Sequence, residues 1–548
     1  MQAVKQDSGQ QNKFIFVTGG VLSGIGKGIV TASIAKLLDL YGLPTTCVKI
    51  DPYLNVDAGT MNPFAHGEVF VTDDGGETDM DIGNYERFLN KELSKIHNIT
   101  TGQVYLDVIE SERKGDFLGE CVQIIPNITN SIKEKIKYVT KFQNNGIVLV
   151  ECGGTVGDIE SLPFIEAIRQ LRLELGQENS LFIHVTLAPI MGPVGEEKTK
   201  PTQHSVQELR RIGIQPDIIV VRSEKQLSQT SKKKISLFTS VELESIISNP
   251  DADSIYNVPE NLYNDGIITS IIDKLKLPSK EMNWRDWKTV SKTFNKNKKS
   301  INIAMVGKYV SLTDSYVSVN EALSHAAAGM NFTAKLEWVE SEDFEKDKNN
   351  LKKLDKYDGI IVPGGFGKRG TEGIMLAADY ARKNEIPFLG LCFGFQLALI
   401  AFARYACGLD DANSIELDPK TKNPIINILP SQKKIKEKGG SMRLGGHDVE
   451  LVKNTLAHAI YGKDKIRQRH RHRFEFNQEY QELLEKNKIV LSGFSDNGRR
   501  TEILEIPNHR FYMATQYHPE FLSKPGKPEP IYNNFIKAII ENRSSNKK

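Results

Sequence analysis

Cysteine is scarce and scattered, with five residues in 548, at positions 47, 121, 152, 392 and 407. An odd set without CxxC spacing excludes a disulfide framework and a zinc cluster of the usual pattern, and a reducing, cytoplasmic location is expected. Charge of one sign is lacking too. The net charge is +2, so no global basic field draws the chain to nucleic acid and each basic cluster must be judged locally. Long apolar runs are few. Ile386–Ala403, IPFLGLCFGFQLALIAFA, carries no charge and is just long enough to span a bilayer. Pro387, Gly390, Gly394 and Gln396 divide it into a buried strand and a buried helix, so no membrane partner is expected. The opening MQAVKQDSGQQNK lacks the apolar core of a secretory signal, and residues 1–12 are expected to be a disordered extension. No internal repeat is evident, and biased composition is confined to the termini and one lysine-rich linker.

What remains is ordinary globular composition, 39% hydrophobic and 26% charged, with length for roughly three or four domain-sized units. Apolar segments at Phe14–Val17, Thr45–Ile50, Ile147–Glu151, Leu181–Ala188 and Asp217–Arg222 alternate with helical patterns such as Leu162–Leu175 and Thr202–Ile212. That alternation predicts a parallel sheet with helices on both faces. Residues 277–300 lose periodicity and become basic, which marks an interdomain linker with a short helix around Trp284 and Trp287. A second series follows at Gly359–Val362, Pro387–Leu391, Ile489–Phe494 and Phe511–Gln516. The fold expected is α/β, with two doubly wound domains, each a mostly parallel sheet covered by helices on both faces. Their bounds are 13–276 and 301–540, with a polar tail at 541–548. In such sheets ligands bind beyond the carboxyl ends of the strands.

The glycine-rich TGGVLSGIGKG, Thr18–Gly28, follows the first strand and opens a helix. Exposed N–H groups, the positive end of a helix and Lys27 together suit phosphate. It is not a regular Walker A loop: Gly20 and Gly26 are five residues apart between them, and Gly28 stands where a hydroxyl should follow the lysine. Magnesium ligands must therefore lie elsewhere. A glycine turn that merely caps a helix is the plainer alternative.

In the second domain, Gly390-Leu-Cys-Phe-Gly-Phe-Gln396 has the spacing of a tight strand-to-helix elbow. Such an elbow presents a sulfur beside a helix N-terminus, where the thiolate is favoured. Cys392 is the candidate nucleophile, His518 of Gln516-Tyr-His-Pro-Glu520 its base, and Glu520 the group that orients the ring. Pro363-Gly-Gly-Phe-Gly367 can present the N–H groups of an oxyanion hole. Singly, Cys392 reads equally as a packed core cysteine.

GLCFGFQ with YHPE and PGGFG resembles the class I glutamine amidotransferase domain. TGGVLSGIGKG, DPYLNVDAGTMNPFAHGEVFV, GGTVGDIESLPF and GEEKTKPTQHSV resemble the CTP synthase family, over nearly all of residues 13–540. The resemblance implies a synthetase domain fused to a glutaminase domain. Its activity would be ATP-dependent amination of UTP to CTP, the last step of de novo CTP synthesis, by way of 4-phosphorylated UTP and ammonia from glutamine. It implies ATP at Gly24, Ile25, Gly26, Lys27, Gly28, Ile29 and Asp81, and Mg2+ at Asp81 and Glu151. UTP would be held by Ser23, Lys198, Thr199, Lys200, Pro201, Thr202, Gln203 and Lys234, with inhibitory CTP at Asp158, Ile159 and Glu160. Glutamine would meet Gly365, Phe393, Gly394, Phe395, Gln396, Glu416 and Arg473, and His66 would stand near an ammonia passage. Activation by GTP, feedback by CTP, a homotetramer and, as in some members, filaments are also implied. Gly24, Cys152, Phe393 and Phe395 depart from common family residues, which touches pocket detail only.

Three weaker readings stay open. KTK at 198–200 and Lys232–Lys234 suit solvated surface charge, and Asp81 alone suits a loop acid among Asp73, Asp74, Glu77 and Asp79. Arg467–Arg473, RQRHRHR, places four arginines on one face of an extended strand and two histidines on the other, an arrangement that suits a nucleic-acid contact. The function classes that compete are a ligase with another acceptor and a nucleotide-switched scaffold without catalysis.

Overall fold

The computed structural model describes residues 12–62, 66–142, 146–192, 195–278, 280–294, 298–308, 313–428 and 439–545. Residues 1–11 of the expected extension and 546–548 of the expected tail lie outside them. Two compact units divide the chain, Met1–Ala58 with Asp81–Asn295, and Gly59–Met80 with Lys296–Lys548.

The first unit is built on a seven-stranded sheet in the order Ile246–Pro250, Ile218–Ser223, Ser180–Leu187, Lys13–Gly19, Ile147–Cys152, Thr45–Asp51 and Asn98–Thr100. Every pairing is parallel. Strands such as Thr45–Asp51 are buried at every position, as expected when both faces are covered. Phe14, Phe16, Val148 and Val150 pack with Val104, Ile132, Ile136 and Phe164 from helices Thr101–Lys114, Thr129–Tyr138 and Leu162–Leu175. Helix Lys27–Leu40 packs on the other face against helix Val258–Asn264. The short helix expected in the linker is Arg285–Lys292, and Trp287 is buried against Phe88 with ring centroids 5.5 Å apart.

The second unit has a nine-stranded sheet. Phe332–Glu340, Lys299–Gly307, Gly359–Val362, Phe388–Leu391 and Tyr512–Thr515 run parallel. Arg500–Glu505, Val490–Ser495, Arg443–Leu451 and Lys465–His472 extend it as an antiparallel wing. Helices Thr371–Lys383 and Phe393–Tyr405 cover one face of the parallel part, and Val317–Gly329 and Pro530–Ser545 the other. The apolar run at 386–403 is thus strand Phe388–Leu391 and helix Phe393–Tyr405, both buried. Among the described residues no helix is long and apolar enough to cross a membrane. The last helix runs on to Ser545, into the stretch expected to be tail.

The boundary near residue 300 did not anticipate residues 59–80, which pack with the second unit as a hairpin, Val69–Val71 against Glu77–Asp79. The arginine patch explains the anchorage. The alternation holds on strand Lys465–His472: Arg467 pairs with Asp73 at 2.8 Å, buried Arg469 donates to the Val71 carbonyl at 3.1 Å, and Arg471 pairs with Glu77 at 2.8 Å. These guanidiniums are paired within the second unit, Arg467 while still half exposed. His470 and His472 line the opposite, buried face beside Glu502 and Arg443.

Candidate active site

In the second unit, Cys392 lies between strand Phe388–Leu391 and helix Phe393–Tyr405 with φ 49° and ψ −96°. A left-handed φ is strained for a residue bearing a Cβ, by about 1–3 kcal/mol, and marks a nucleophile elbow. The flanking glycine is obligatory, because a Cβ on Gly394 would sit 2.3 Å from the Val362 carbonyl oxygen. His518 Nδ1 bonds Glu520 Oε1 at 2.7 Å, which leaves its buried Nε2 for the Cys392 sulfur. Burial disfavours a charged ring, yet the Glu520 carboxylate, and after it the ionised Cys392 sulfur, push His518 up to about 10. Gly364 lies against both groups: a Cβ there would be 2.9 Å from His518 Cε1 and 3.7 Å from Cys392 Cβ. Cys392, His518, Glu520, Gly364 and Gly365 all border one cavity of 420 Å³.

Of the residues expected to hold glutamine, Gly365 reaches this cavity. Glu416 accepts from the Gly367 N–H at 3.2 Å, and Lys308 donates to the Gly367 carbonyl at 2.6 Å, so both backbone polar groups of Gly367 are held. Burial raises Glu416 and lowers Lys308 to about 8. Arg473 donates to Ser441 Oγ at 3.0 Å. Phe393 and Phe395 pack their rings in the core, and Gln396 turns inward to the Phe474 carbonyl at 2.9 Å. What positions 393–395 offer a ligand is the N-terminal N–H groups of their helix. His66 bonds Asp79 at 3.4 Å beside the hairpin, and Met61, Glu68 and Val69 of that segment also border the cavity. This contribution from far upstream in the chain has no local sequence signal.

In the first unit, the loop after strand Lys13–Gly19 leaves Ser23 and Gly24 exposed and brings Lys27 inward to open its helix, with Gly26 left-handed at φ 88°. Lys27 Nζ donates to the Gly154 carbonyl at 2.9 Å. Burial lowers its affinity for a proton while Glu151 draws it back up. Asp81 and Glu151 come together, and Lys49, which the sequence reading did not select, bridges them: its ammonium contacts Asp81 and lies 2.9 Å from Glu151 Oε1. Tyr85 donates to the other Glu151 oxygen. Against burial, the Lys49 ammonium holds Asp81 below the usual carboxylate range. Asp51, bonded to Asn98 at 2.8 Å, is raised by burial to about 6.

Gly28 gains a reason here. A Cβ on it would lie 1.9 Å from Asp81 Oδ1, so the carboxylate fills the place where a regular loop keeps its hydroxyl side chain. Gly28→Ser should therefore restore the familiar motif and still destabilise the fold by about 2 kcal/mol through overpacking. Chemical denaturation checks this, and a Ser variant as stable as the parent would refute the packing.

Asp158, Ile159 and Glu160 stand exposed after strand Ile147–Cys152, while Cys152 faces the core. In the stretch 198–203 only Lys198 and Thr199 precede the helix, which starts two residues before the expected Thr202. Lys200 begins helix Lys200–Arg211, with Pro201 in its first turn, where proline's fixed φ and missing N–H suit a helix start. Lys198 pairs with Glu196 at 2.6 Å, Thr199 and Gln203 bond each other at 3.1 Å, and Thr202 is buried on the Leu187 carbonyl at 3.1 Å. Lys200 and Lys234 are exposed.

Comparison with known proteins follows the same division. Residues 13–277 match the family model for the CTP synthase N-terminus and 311–538 that for class I glutamine amidotransferase. A CTP synthase of Thermococcus gammatolerans is 52% identical over 532 residues, 97% of this chain and 99% of that protein. That of Saccharolobus solfataricus is 52% identical over 531 residues, 96% of this chain and 99% of that protein. A solved structure of the Trypanosoma brucei CTPS glutaminase domain with bound acivicin is 37% identical, with TM-score 0.42, covering 44% of this chain and 94% of that one. Identity of this level across both units and nearly the full length of the relatives establishes that the chain belongs to the CTP synthase family.

Proposed function

We propose that the protein converts UTP to CTP with ATP and with ammonia taken from glutamine. The observation that carries this reading is the occurrence in one chain of a strained Cys392 elbow facing a Glu520-held histidine and, in the other unit, of a lysine-bearing helix start facing paired carboxylates.

At the glutaminase site, His518 takes the Cys392 proton and the sulfur attacks the side-chain carbonyl carbon of glutamine. The N–H groups of the 363–367 loop stabilise the oxyanion. His518 returns the proton to the leaving nitrogen, ammonia departs, and water cleaves the thioester to give glutamate. Gly365, Phe393, Gly394, Phe395, Gln396, Glu416 and Arg473 form the glutamine pocket in this proposal, the planar Arg473 fork suiting the carboxylate.

At the synthetase site, O4 of the uracil is a poor leaving group until it carries the γ-phosphoryl of ATP. Lys27 and the amides of Gly24–Ile29 align and neutralise the phosphates, and ammonia then displaces phosphate at C4. The oxygen donors Asp81 and Glu151, both already facing cations, fit Mg2+, which would supply charge neutralisation on the transferring phosphate. Lys49 holds the two carboxylates in place. The helix start at Lys200–Gln203, with Ser23, Lys198, Thr199 and Lys234, suits the UTP triphosphate, and Asp158–Glu160 the inhibitory CTP. His66 beside an ammonia passage, GTP activation and a homotetramer with filaments belong to the same proposal.

Product analysis with UTP, ATP and glutamine, alone and with GTP, against a panel of other acceptors tests the reading. One CTP and one glutamate per ADP is the expected result. Amination of another acceptor would overturn it, and assembly without turnover would favour the scaffold alternative.

A further inference from the structure

Strands Phe388–Leu391 and Tyr512–Thr515 run parallel with Leu391 opposite Thr515, so the next residue of each, Cys392 and Gln516, meet at the strand ends. Cys392 N donates to the Thr515 carbonyl at 2.7 Å, and Gln516 Nε2 lies 3.7 Å from Cys392 Sγ, within reach of an N–H···S hydrogen bond. Gln516 is only 1% exposed, with its own N–H on the Glu502 carbonyl at 2.8 Å. The direction of its amide follows from its neighbour. Gln396 meets the Phe474 carbonyl at 2.9 Å, an atom that only accepts, so that end of Gln396 is its nitrogen. The same nitrogen lies 3.2 Å from Gln516, whose facing atom must then be the oxygen, leaving the NH2 turned to the sulfur.

The sulfur's surroundings distinguish its two protonation states. The Arg471 carbonyl, 3.6 Å away, accepts from the neutral S–H and offers nothing to an anion. An amide N–H does the reverse, bonding a thiolate far better than a thiol. We propose that Gln516 is a second hydrogen-bond donor to the Cys392 thiolate beside His518, with Gln396 as the positioning residue that keeps its NH2 aimed at the sulfur. This rests on Cys392 being the nucleophile. Among the described residues, the other charged groups bordering the sulfur's cavity are His518, Glu520 behind it, Glu68, which accepts from the Ser318 N–H at 3.0 Å, and Arg471, whose guanidinium is occupied by Glu77 at 2.8 Å.

The test is alkylation of the full-length protein by iodoacetamide from pH 5 to 9, with peptide mass spectrometry to locate the label. In Gln516→Leu the midpoint for labelling of Cys392 should rise by about one pH unit, and glutamine-driven kcat should fall about tenfold with KM little changed. The near-isosteric Gln516→Glu should raise the midpoint further, since a carboxylate would face the sulfur, and it decides the matter if the Leu variant folds poorly. Ammonia-driven synthesis, which bypasses the sulfur, reports folding of each variant. Midpoints equal to the parent's in both variants would overturn the role of Gln516. A parent that uses glutamine yet is never labelled at Cys392 would instead overturn the nucleophile assignment, and this proposal with it.

Discussion

Cys392→Ala is expected to lower glutamine-driven CTP formation by about a thousandfold or more, while CTP formation from added ammonia stays within about twofold of the parent. The size follows from the chemistry. Without the sulfur no thioester forms, and His518 and Glu520 alone activate water poorly, since members of such a triad act as a unit. The selectivity follows from the architecture. Cys392, His518, Glu520 and the 363–367 loop all belong to the second unit, whereas Lys27, Lys49, Asp81 and Glu151 belong to the first. Alanine keeps the Cβ and the backbone of the elbow and removes one sulfur atom, so the fold should survive, as circular dichroism and thermal unfolding can verify. Parallel assays with glutamine and with an ammonium salt read the outcome. Full glutamine-driven synthesis in the variant would refute the nucleophile, and equal loss with both nitrogen sources would mean that the second unit serves the synthetase step directly.

Lys27→Ala should show the complementary pattern, with synthesis from either nitrogen source reduced by about a hundred- to a thousandfold and glutaminase activity largely kept. Lys27 brings a full positive charge to the start of a helix whose N–H groups are already aimed outward, and its ammonium is held by the Gly154 carbonyl at 2.9 Å. Phosphoryl transfer leaves the protein little to do except position and neutralise charge, so losing that cation removes a main contribution. The loss should appear in kcat rather than only in the KM for ATP, because charge on the transferring oxygens and leaving group is rearranged in the transition state. CTP formation followed with ammonia, beside glutamate release from glutamine, separates the two activities. Synthesis at the parental rate would exclude the loop from phosphate handling. Gly28→Ser provides a second view of the same corner, since it tests the packing of Asp81 without removing a charge.

Much of this arrangement was legible from local pattern. The alternation of apolar strands and amphipathic helices made legible the parallel sheet of the first unit and the parallel part of the second, though not its antiparallel wing, because side-chain period follows backbone geometry. The Cys392 elbow, His518 with Glu520, and the glycine loop were legible because each lies at a strand end, where a tight turn restricts the residues allowed. The alternation of Arg467–Arg473 was likewise correct as geometry. Its partners were not legible: Asp73, Val71 and Glu77 lie about 400 residues earlier, and no local period records a pairing at that separation.

By itself the sequence determined the strands, the helix starts and the residues that a turn or elbow demands, since these depend on neighbours within a few positions. Only the tertiary structure decided which charges meet. It placed Lys49 between Asp81 and Glu151, set Asp81 against Gly28, drew the hairpin at 59–80 to the arginine strand, and turned Gln516 toward the sulfur. The physical reason is that strand order and register, not proximity along the chain, bring side chains to a common site. Hydrogen bonds and ion pairs act over a few ångströms in space and leave no periodic trace in the residues between.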